Sequence, residues 1–91
     1  MIISSALTTN YDRMADTLYV SARRIGKPAV AKEEDEPGIY WRYDSAGDLV
    51  GVTILDFEDF WRPKITELVA VLAQRFRIPY DDASRLLKQV H

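Results

Sequence analysis

The fold is decided by the stretch from residue 39 to residue 55, which reads IYWRYDSAGDLVGVTIL. Apolar and polar side chains alternate in its first five and last seven residues, which is the pattern of strands with one buried face. Between them, Asp44 to Asp48 has the composition of a type I turn that Gly47 closes in the left-handed conformation. The stretch therefore predicts an antiparallel hairpin, in which Gly51 allows another backbone to approach closely.

Strand and turn patterns continue on the N-terminal side of this hairpin. Two further strands are predicted from alternating faces, formed by Leu7, Thr9 and Tyr11 in one and by Leu18 and Val20 in the next. The residues from Asp12 to Asp16 make the turn between them, and Pro37-Gly38 breaks the chain before residue 39. We interpret the acidic run from Glu33 to Glu36 as a solvated loop, preceded by a short edge strand at Ala29 to Ala31.

Helical spacing replaces the strand pattern after Asp56. Apolar residues recur every three or four positions after Pro63, which suits the first turn of a helix: Ile65, Leu68, Val69, Leu72 and Phe76. The polar residues between them are expected to point away from the core: Glu67, Gln74 and Arg75. A second helix begins near Tyr80, where Asp81 and Asp82 complement the positive end of its dipole. Its predicted buried face consists of Ala83, Leu86, Leu87 and Val90.

These elements predict an α+β fold. An antiparallel β-meander of about four strands is followed by two C-terminal α-helices, which pack on one face of the sheet and leave the other face solvated. The 91 residues fit one domain, residues 1–91, with a sheet region at 7–56 and a helical tail at 63–90.

Composition excludes several classes of function. The net charge of -2 leaves no basic surplus to neutralise phosphates, which disfavours nucleic acid as a partner. The chain has no cysteine, so thiolate metal sites and thiol nucleophiles are excluded, and its one histidine, His91, stands at the chain end. Neither a signal peptide nor a membrane span is recognised, so we expect a cytoplasmic protein. The glycines fit none of the nucleotide-binding patterns, and no cofactor is expected.

Two blocks of residues carry a family resemblance. The first reads Tyr11-Asp12-Arg13-Met14-Ala15-Asp16-Thr17-Leu18-Tyr19-Val20, and the second runs from Pro37-Gly38-Ile39 through Asp44 and Gly47 to Leu49-Val50-Gly51-Val52-Thr53-Ile54-Leu55-Asp56. They resemble the opening signature and the second hairpin of a family of small bacterial proteins, the domain of unknown function 2283. The resemblance covers about residues 7–57. Thr53 departs from the Glu that this family often carries, so no role of that carboxylate is transferred.

The resemblance implies a fold more than a function, since the family has no established activity. Some members are thought to be encoded beside small ribonuclease-type toxins, so it also implies an antitoxin-like role with a toxin as partner. We therefore expect a non-catalytic protein-binding or regulatory module. Apolar surface beyond the main helical stripe and free sheet edges predict a homodimer, formed by helix packing or by strand addition. The predicted partner or oligomer interface comprises Val71, Ala70, Leu68, Phe60 and Trp61.

A DNA-binding regulator is the competing hypothesis. The apolar spacing of residues 69–90 resembles a helix-turn-helix, in which Arg85 and Lys88 on the second helix would contact phosphates. Two features oppose it, because Arg77 stands where such turns favour Gly and two aspartates begin the second helix. Simple pairing of the two helices is therefore the favoured interpretation.

Carboxylates offer a third hypothesis, a small metal protein or enzyme. Asp12, Asp16, Asp44 and Asp48 would supply oxygens to a hard cation if both turns lay at one end of the sheet, although Asp ordinarily stabilises turns. Asp56, Glu58 and Asp59 adjoin Phe57, Phe60 and Trp61, where burial would raise the pKa of one acid. We favour aromatic side chains that clamp this segment while the acids stay in water, and we do not expect an enzyme.

Aromatic residues around a cation suggest one more surface. Tyr19, Tyr40, Trp41, Arg42 and Tyr43 interleave rings with a guanidinium, as single-stranded nucleic-acid platforms do. Cross-strand pairing within the sheet explains the same alternation and is favoured.

Overall fold

The computed structural model describes residues 7–22 and 31–90, which form a five-stranded antiparallel sheet followed by two helices. The strands are β1 Leu7–Asp12, β2 Thr17–Ala22, β3 Ala31–Glu36, β4 Ile39–Tyr43 and β5 Leu49–Leu55; the helices are α1 Ile65–Phe76 and α2 Tyr80–Lys88. This confirms the predicted α+β fold, with one strand more than expected. Neither helix in the described part of the chain is long and apolar enough to cross a membrane.

The sheet has the order β1-β2-β5-β4-β3, so β2 and β5 pair although two strands separate them in sequence. Thr17 of β2 and the turn before Ile39 of β4 lie beside the C-terminal end of β5. The β1–β2 and β3–β4 turns therefore share one end of the sheet with the start of the chain segment that leads to α1. We call this the junction end, and the opposite end, which holds the β4–β5 turn, the far end.

The acidic run was wrongly interpreted as a loop, because it forms the edge strand β3. Lys32, Glu33 and Glu34 pair with β4, and the register shifts before Glu36. Charged side chains on an edge strand discourage other chains from pairing with it, which explains why a strand here has the composition of a loop. Of the predicted edge strand, Ala29 and residue 30 lie outside the described residues, and Ala31 is the first residue of β3.

The core lies between the inner face of the sheet and the two helices. The sheet contributes buried side chains from β2, β4 and β5: Leu18, Val20, Ile39, Trp41, Val52 and Ile54. The helices contribute buried residues from the predicted stripe and from the predicted face of α2: Leu68, Val69, Leu72, Ala83 and Leu87. Ile65, Phe76 and Leu86 of the same predicted faces are partly buried against this core. Since a large apolar side chain gains roughly 1.5–3 kcal/mol on full burial, this layer of contacts holds the helical tail to the sheet.

Arg75 corrects the expectation that it points away from the core. Its guanidinium carbon lies 4.3 Å from the centre of the Trp41 ring. One nitrogen donates a hydrogen bond to the Tyr43 hydroxyl at 2.6 Å and lies 3.6 Å from a carboxylate oxygen of Glu33. A long Arg stem covers apolar surface while its charged head remains polar, so Arg75 connects α1 with both β3 and β4.

Candidate functional site

Asp16 connects the β1–β2 turn with the segment that follows β5. Its carboxylate accepts hydrogen bonds from the backbone N–H groups of Glu58 at 2.8 Å and Asp59 at 3.1 Å, which lie 42 and 43 residues away in sequence. It also accepts the Tyr11 hydroxyl at 2.6 Å, and its carbonyl accepts the N–H of Phe57 at 3.0 Å. With φ at 52° it adopts the left-handed conformation, which Asp tolerates better than most residues. Asp16 thereby fixes residues 57–59 against the sheet.

These hydrogen bonds shift two pKa values. Partial burial raises the pKa of Asp16, but the hydrogen bonds from Tyr11, Glu58 and Asp59 outweigh that effect and leave it below its ordinary value. The hydrogen bond to Asp16 is the largest of the causes that raise the pKa of Tyr11 to about 12. Both shifts favour an ionised Asp16 beside a neutral Tyr11 at neutral pH.

The segment from Asp56 to Lys64, which we call the junction, consists of two short irregular helical turns, Phe57–Trp61 and Arg62–Lys64. Phe57 and Trp61 are buried, whereas the ring of Phe60 is 46% exposed and meets Trp61 edge-on at 5.0 Å between ring centres. The acids of the junction are exposed, and Glu58 pairs with Arg62 at 2.6 Å. The aromatics therefore clamp the junction while its carboxylates remain in water.

Phe60 borders an open cleft of about 260 Å³ between the junction and the β3–β4 turn. The cleft is lined by Pro37, Gly38, Leu55, Asp56, Phe60 and Trp61. The Lys64 ammonium lies 4.2 Å from the centre of the Phe60 ring, so a cation lies against this ring, and Asp56 adds a carboxylate to an otherwise apolar lining. We call this site the Phe60 cleft. It has the shape and chemistry to receive an apolar side chain, with carboxylates close by to meet a cation.

The structure divides the five residues of the predicted interface. Leu68 is fully buried in this chain's own core, since it lies on the sheet-facing side of α1, and its assignment to an interface is therefore wrong. Trp61 is 4% exposed and belongs to the wall of the Phe60 cleft, which it shares with Phe60. Ala70 is exposed on α1, and Val71 is half-buried against the core. Phe60 and Trp61 come together at one site, and the two helix residues do not line it.

Sequence reasoning grouped Asp56, Phe60 and Trp61 but missed the other three residues that line the cleft. Pro37 and Gly38 were interpreted as a chain break, and Leu55 as the last residue of a strand. The antiparallel pairing of β4 with β5 brings them together, because the N–H of Leu55 donates to the carbonyl of Gly38 at 2.8 Å. The available signal was the breaker pair Pro37-Gly38, together with the aromatic residues that follow the predicted strand at residues 49–55.

The four candidate cation ligands do not converge. Asp12 and Asp16 lie at the junction end, whereas Asp44 and Asp48 lie at the far end, with the length of β5 between them. Asp12 accepts the N–H groups of its own turn, from Met14 at 3.0 Å and the next residue at 3.2 Å. Across residues 7–22 and 31–90, no three His, Asp or Glu side chains form a group suited to a metal ion. A single site shared by both turns is therefore not formed.

The proposed stacking platform is split between the two faces of the sheet. Trp41 is fully buried and Tyr43 packs against the core, so Tyr19, Tyr40 and Arg42 remain on the outer face. Arg42 lies across Gly51 and donates a hydrogen bond to the Val20 carbonyl at 3.4 Å. A Cβ at Gly51 would lie 2.8 Å from that carbonyl oxygen and against the guanidinium of Arg42. The close approach predicted at Gly51 thus involves a crossing side chain as well as the neighbouring strand.

The candidate DNA-contacting residues lie on the exposed side of α2. Arg85 forms an ion pair at 3.1 Å with Asp82 of the same helix. Lys88 borders a groove of about 300 Å³ between α1 and α2, together with the half-exposed ring of Tyr80. Three residues link the helices, and the first of them, Arg77, has φ at 58°. Arg77 thus adopts the left-handed conformation for which a helix-turn-helix usually selects Gly.

A five-stranded antiparallel sheet covered on one face by two helices defines a small two-layer α+β protein. The chain belongs to the family described as "Protein of unknown function (DUF2283)", whose family model matches residues 9–57. This confirms the resemblance inferred from the two sequence blocks. The match ends at Phe57, so the five strands lie in the family region almost entirely, whereas Phe60 and both helices lie beyond it. Comparison with curated proteins and with solved structures gave no match.

Proposed function

We propose that this protein is a non-catalytic module that binds another protein through the Phe60 cleft and thereby regulates it. The observation that carries the proposal is the ring of Phe60, which is 46% exposed beside a concave apolar surface. Exposed large apolar side chains next to such concavities are typical of binding sites. The nearby carboxylate of Asp16 accepts hydrogen bonds from the Tyr11 hydroxyl and from two backbone N–H groups, which supports a structural role for this residue and not a catalytic one.

The charges around the cleft favour a basic partner. Asp56 lines it and Asp59 is exposed in the same segment, whereas Glu58 is paired with Arg62 and Lys64 lies against Phe60. Three exposed glutamates of β3, Glu33, Glu34 and Glu36, precede the Pro37-Gly38 wall and make the acidic charge larger than the basic one. Complementary charge steers association and excludes wrong partners. A ribonuclease needs a cationic surface to hold RNA phosphates, and this acidic surface would cover such a site. That argument supports an antitoxin-like role, with a small nuclease-type toxin as the protein bound.

Co-purification with mass spectrometry tests the proposal. The full chain is tagged, expressed at its natural level, and compared with Phe60→Ala and with Tyr80→Ala, a matched control because Tyr80 is 47% exposed on a different surface. We expect one basic protein to be recovered in stoichiometric amount with the natural chain and with Tyr80→Ala, and to be lost with Phe60→Ala. Recovery of the same partner with Phe60→Ala would exclude the cleft, and recovery of no partner would exclude the module.

DNA binding is a second candidate, favoured by the left-handed Arg77 in a three-residue link between helices. In this alternative, Arg85 and Lys88 contact phosphates, and retention on immobilised DNA decreases steeply with salt. Replacing both by Ala should then abolish retention, whereas replacing Lys32 and Lys64 by Ala removes equal charge elsewhere and should have little effect. Equal loss in both double variants would indicate nonspecific attraction and would contradict a helix-turn-helix.

A further inference from the structure

The outer edge of β1 is a surface distinct from the Phe60 cleft. β1 pairs with β2 along six residues, and within the described ranges no strand pairs with its other side. Unpaired N–H and C=O groups along such an edge can bond to an added strand. Residues 7–11, Leu-Thr-Thr-Asn-Tyr, carry no charge. Along residues 7–11, this edge therefore lacks the charged side chains that commonly prevent other strands from pairing with a sheet edge.

The sequence of β1 is compatible with pairing to a second copy of itself. Residues directly opposite each other in an antiparallel pair point to the same face of the sheet. In two identical strands, such partners are separated by an even number of positions, so the twofold axis passes beside a residue that faces its own copy. With the axis at Thr9, Thr9 faces Thr9, Thr8 faces Asn10, and Leu7 faces Tyr11. Leu7 is buried and Tyr11 packs against the core, so their contact would continue the apolar layer from one copy into the next. Thr–Thr and aliphatic–aromatic pairs are favourable across strands.

The opposite edge, β3, is not compatible with the same pairing. A twofold axis at Lys32, Glu33, Glu34 or Glu36 would place that charged side chain against its own copy, and like charges directly opposite each other are destabilising. Pairing β1 of one copy with β3 of another would be head-to-tail and would leave a free edge at each end for further copies. A closed dimer built by strand addition therefore uses β1.

We propose that two copies of this protein associate through their β1 strands, antiparallel about a twofold axis, into one continuous sheet. Each Phe60 cleft stays outside this interface, and the acidic β3 strands form the two outer edges, because β1 and β3 are at opposite sides of the sheet. A pair of strands that matches five residues of each copy is a small interface compared with the roughly 1,200–2,000 Å² of stable complexes. The dimer is therefore reversible and dissociates on dilution.

Sedimentation velocity of the full chain over a micromolar to millimolar concentration series tests this proposal. The variant Thr8→Lys/Asn10→Lys places lysines opposite each other across the axis, and both positions are exposed, so the monomer is expected to fold. The control Ala70→Lys/Gln74→Lys adds the same charge to exposed positions of α1. It also tests the alternative of dimerisation by helix packing. Circular dichroism and thermal unfolding establish that each variant is folded.

We expect the natural chain and the α1 variant to change from the 10.4 kDa monomer to a species of twice that mass as concentration rises. The β1 variant should remain monomeric throughout the series. A natural chain that is monomeric at every concentration overturns the proposal. Dimerisation of a folded β1 variant also overturns it, and loss of the dimer in the α1 variant alone would assign the interface to helix packing instead.

Discussion

Two aspartates at opposite ends of the sheet both accept hydrogen bonds from backbone N–H groups, but their donors lie at very different separations along the sequence. Asp44 accepts the N–H groups of Ala46 at 2.9 Å and Asp48 at 3.0 Å, both within its own turn. Asp16 accepts two N–H groups that lie 42 and 43 residues away. A carboxylate that bonds to nearby backbone stabilises a local turn. The same group, when its donors belong to another segment, connects the sheet to the helical tail.

The two ends of the sheet also differ in how closely their residues are packed. The junction end buries Phe57 and Trp61 and contains the Phe60 cleft. At the far end, Gly47 has open space around it, with no heavy atom within 4 Å of where a Cβ would lie. Damage at the junction end should therefore spread into the tail, whereas damage at the far end should remain local.

The largest expected difference concerns the apolar side chains at the two ends. Phe57 is fully buried and meets Tyr11 edge-on at 5.7 Å, so Phe57→Ala should lower the free energy of unfolding by about 3–5 kcal/mol. Leu49 at the far end is half-buried, and Leu49→Ala should cost much less. Urea unfolding measures both, with Phe57→Leu as a milder variant if Phe57→Ala does not fold. Equal losses at Phe57 and Leu49 would contradict the contrast between the ends.

The aspartates themselves provide the next test. Asp16→Ala and Asp44→Ala should each cost about 1–3 kcal/mol, because each leaves backbone donors without their charged acceptor. Hydrogen exchange should separate them. Asp16→Ala is expected to accelerate exchange at Glu58 and Asp59 and through α1, whereas Asp44→Ala should affect the β4–β5 turn. Confinement of the Asp16→Ala effect to residues 13–17 would refute its role as a connection.

The two turn glycines are a matched pair for which the ends should not differ. Gly38 and Gly47 have φ of 87° and 86°, and an L-residue in the left-handed region costs roughly 1–2 kcal/mol. An added Cβ at Gly38 would meet Leu55 at 3.6–3.7 Å, which is ordinary contact. Gly38→Ala and Gly47→Ala should therefore lower the melting temperature by similar amounts. A much larger effect at Gly38 would indicate that the cleft wall is tighter than these distances imply.

The smallest expected effect is a pH dependence at the junction end. The pKa of Asp16 is lower in the folded protein than its ordinary value, so its contribution to stability is complete above the unfolded pKa, near 4. That contribution is lost as the pH falls through the folded pKa. Urea titrations between about pH 2 and 6 should show a shallower acid loss for Asp16→Asn than for the natural chain. Identical pH profiles would show that the carboxylate's ionisation does not support the connection.

Local patterns predicted much of this structure. The hairpin at residues 39–55 was predicted correctly because alternation and turn composition are both short-range signals, and Gly47 has the expected positive φ. β3 was missed since four consecutive acids show no alternation, and only the free edge of β4 makes them a strand. Arg75 was misplaced because its charge was taken as a sign of exposure, although it follows the buried Leu68 by seven residues and so lies on nearly the same side of α1, where it reaches Trp41.

The candidate site was less predictable for a physical reason. Sequence reasoning selected Asp16 as a carboxylate of interest, but its distant backbone donors leave no local signal. Phe60 and Trp61 were correctly grouped, whereas their partners in the cleft come from the β3–β4 turn and the end of β5. A site assembled from separate segments depends on strand order, which alternation of side chains does not encode.

The pairing of β2 with β5 also has a consequence for how the chain folds. The other three strand pairs of the described sheet join neighbours in sequence, so each closes a shorter loop, at a lower entropic cost, than the β2–β5 pair does. Contacts between distant residues form later on average, because the entropy of loop closure must be overcome first. Asp16 lies where the β2–β5 pair meets the junction, and its backbone donors are 42 and 43 residues away, so we expect its hydrogen bonds to form late in folding. Its loss would then appear mainly as faster unfolding, and the refolding rate would hardly change.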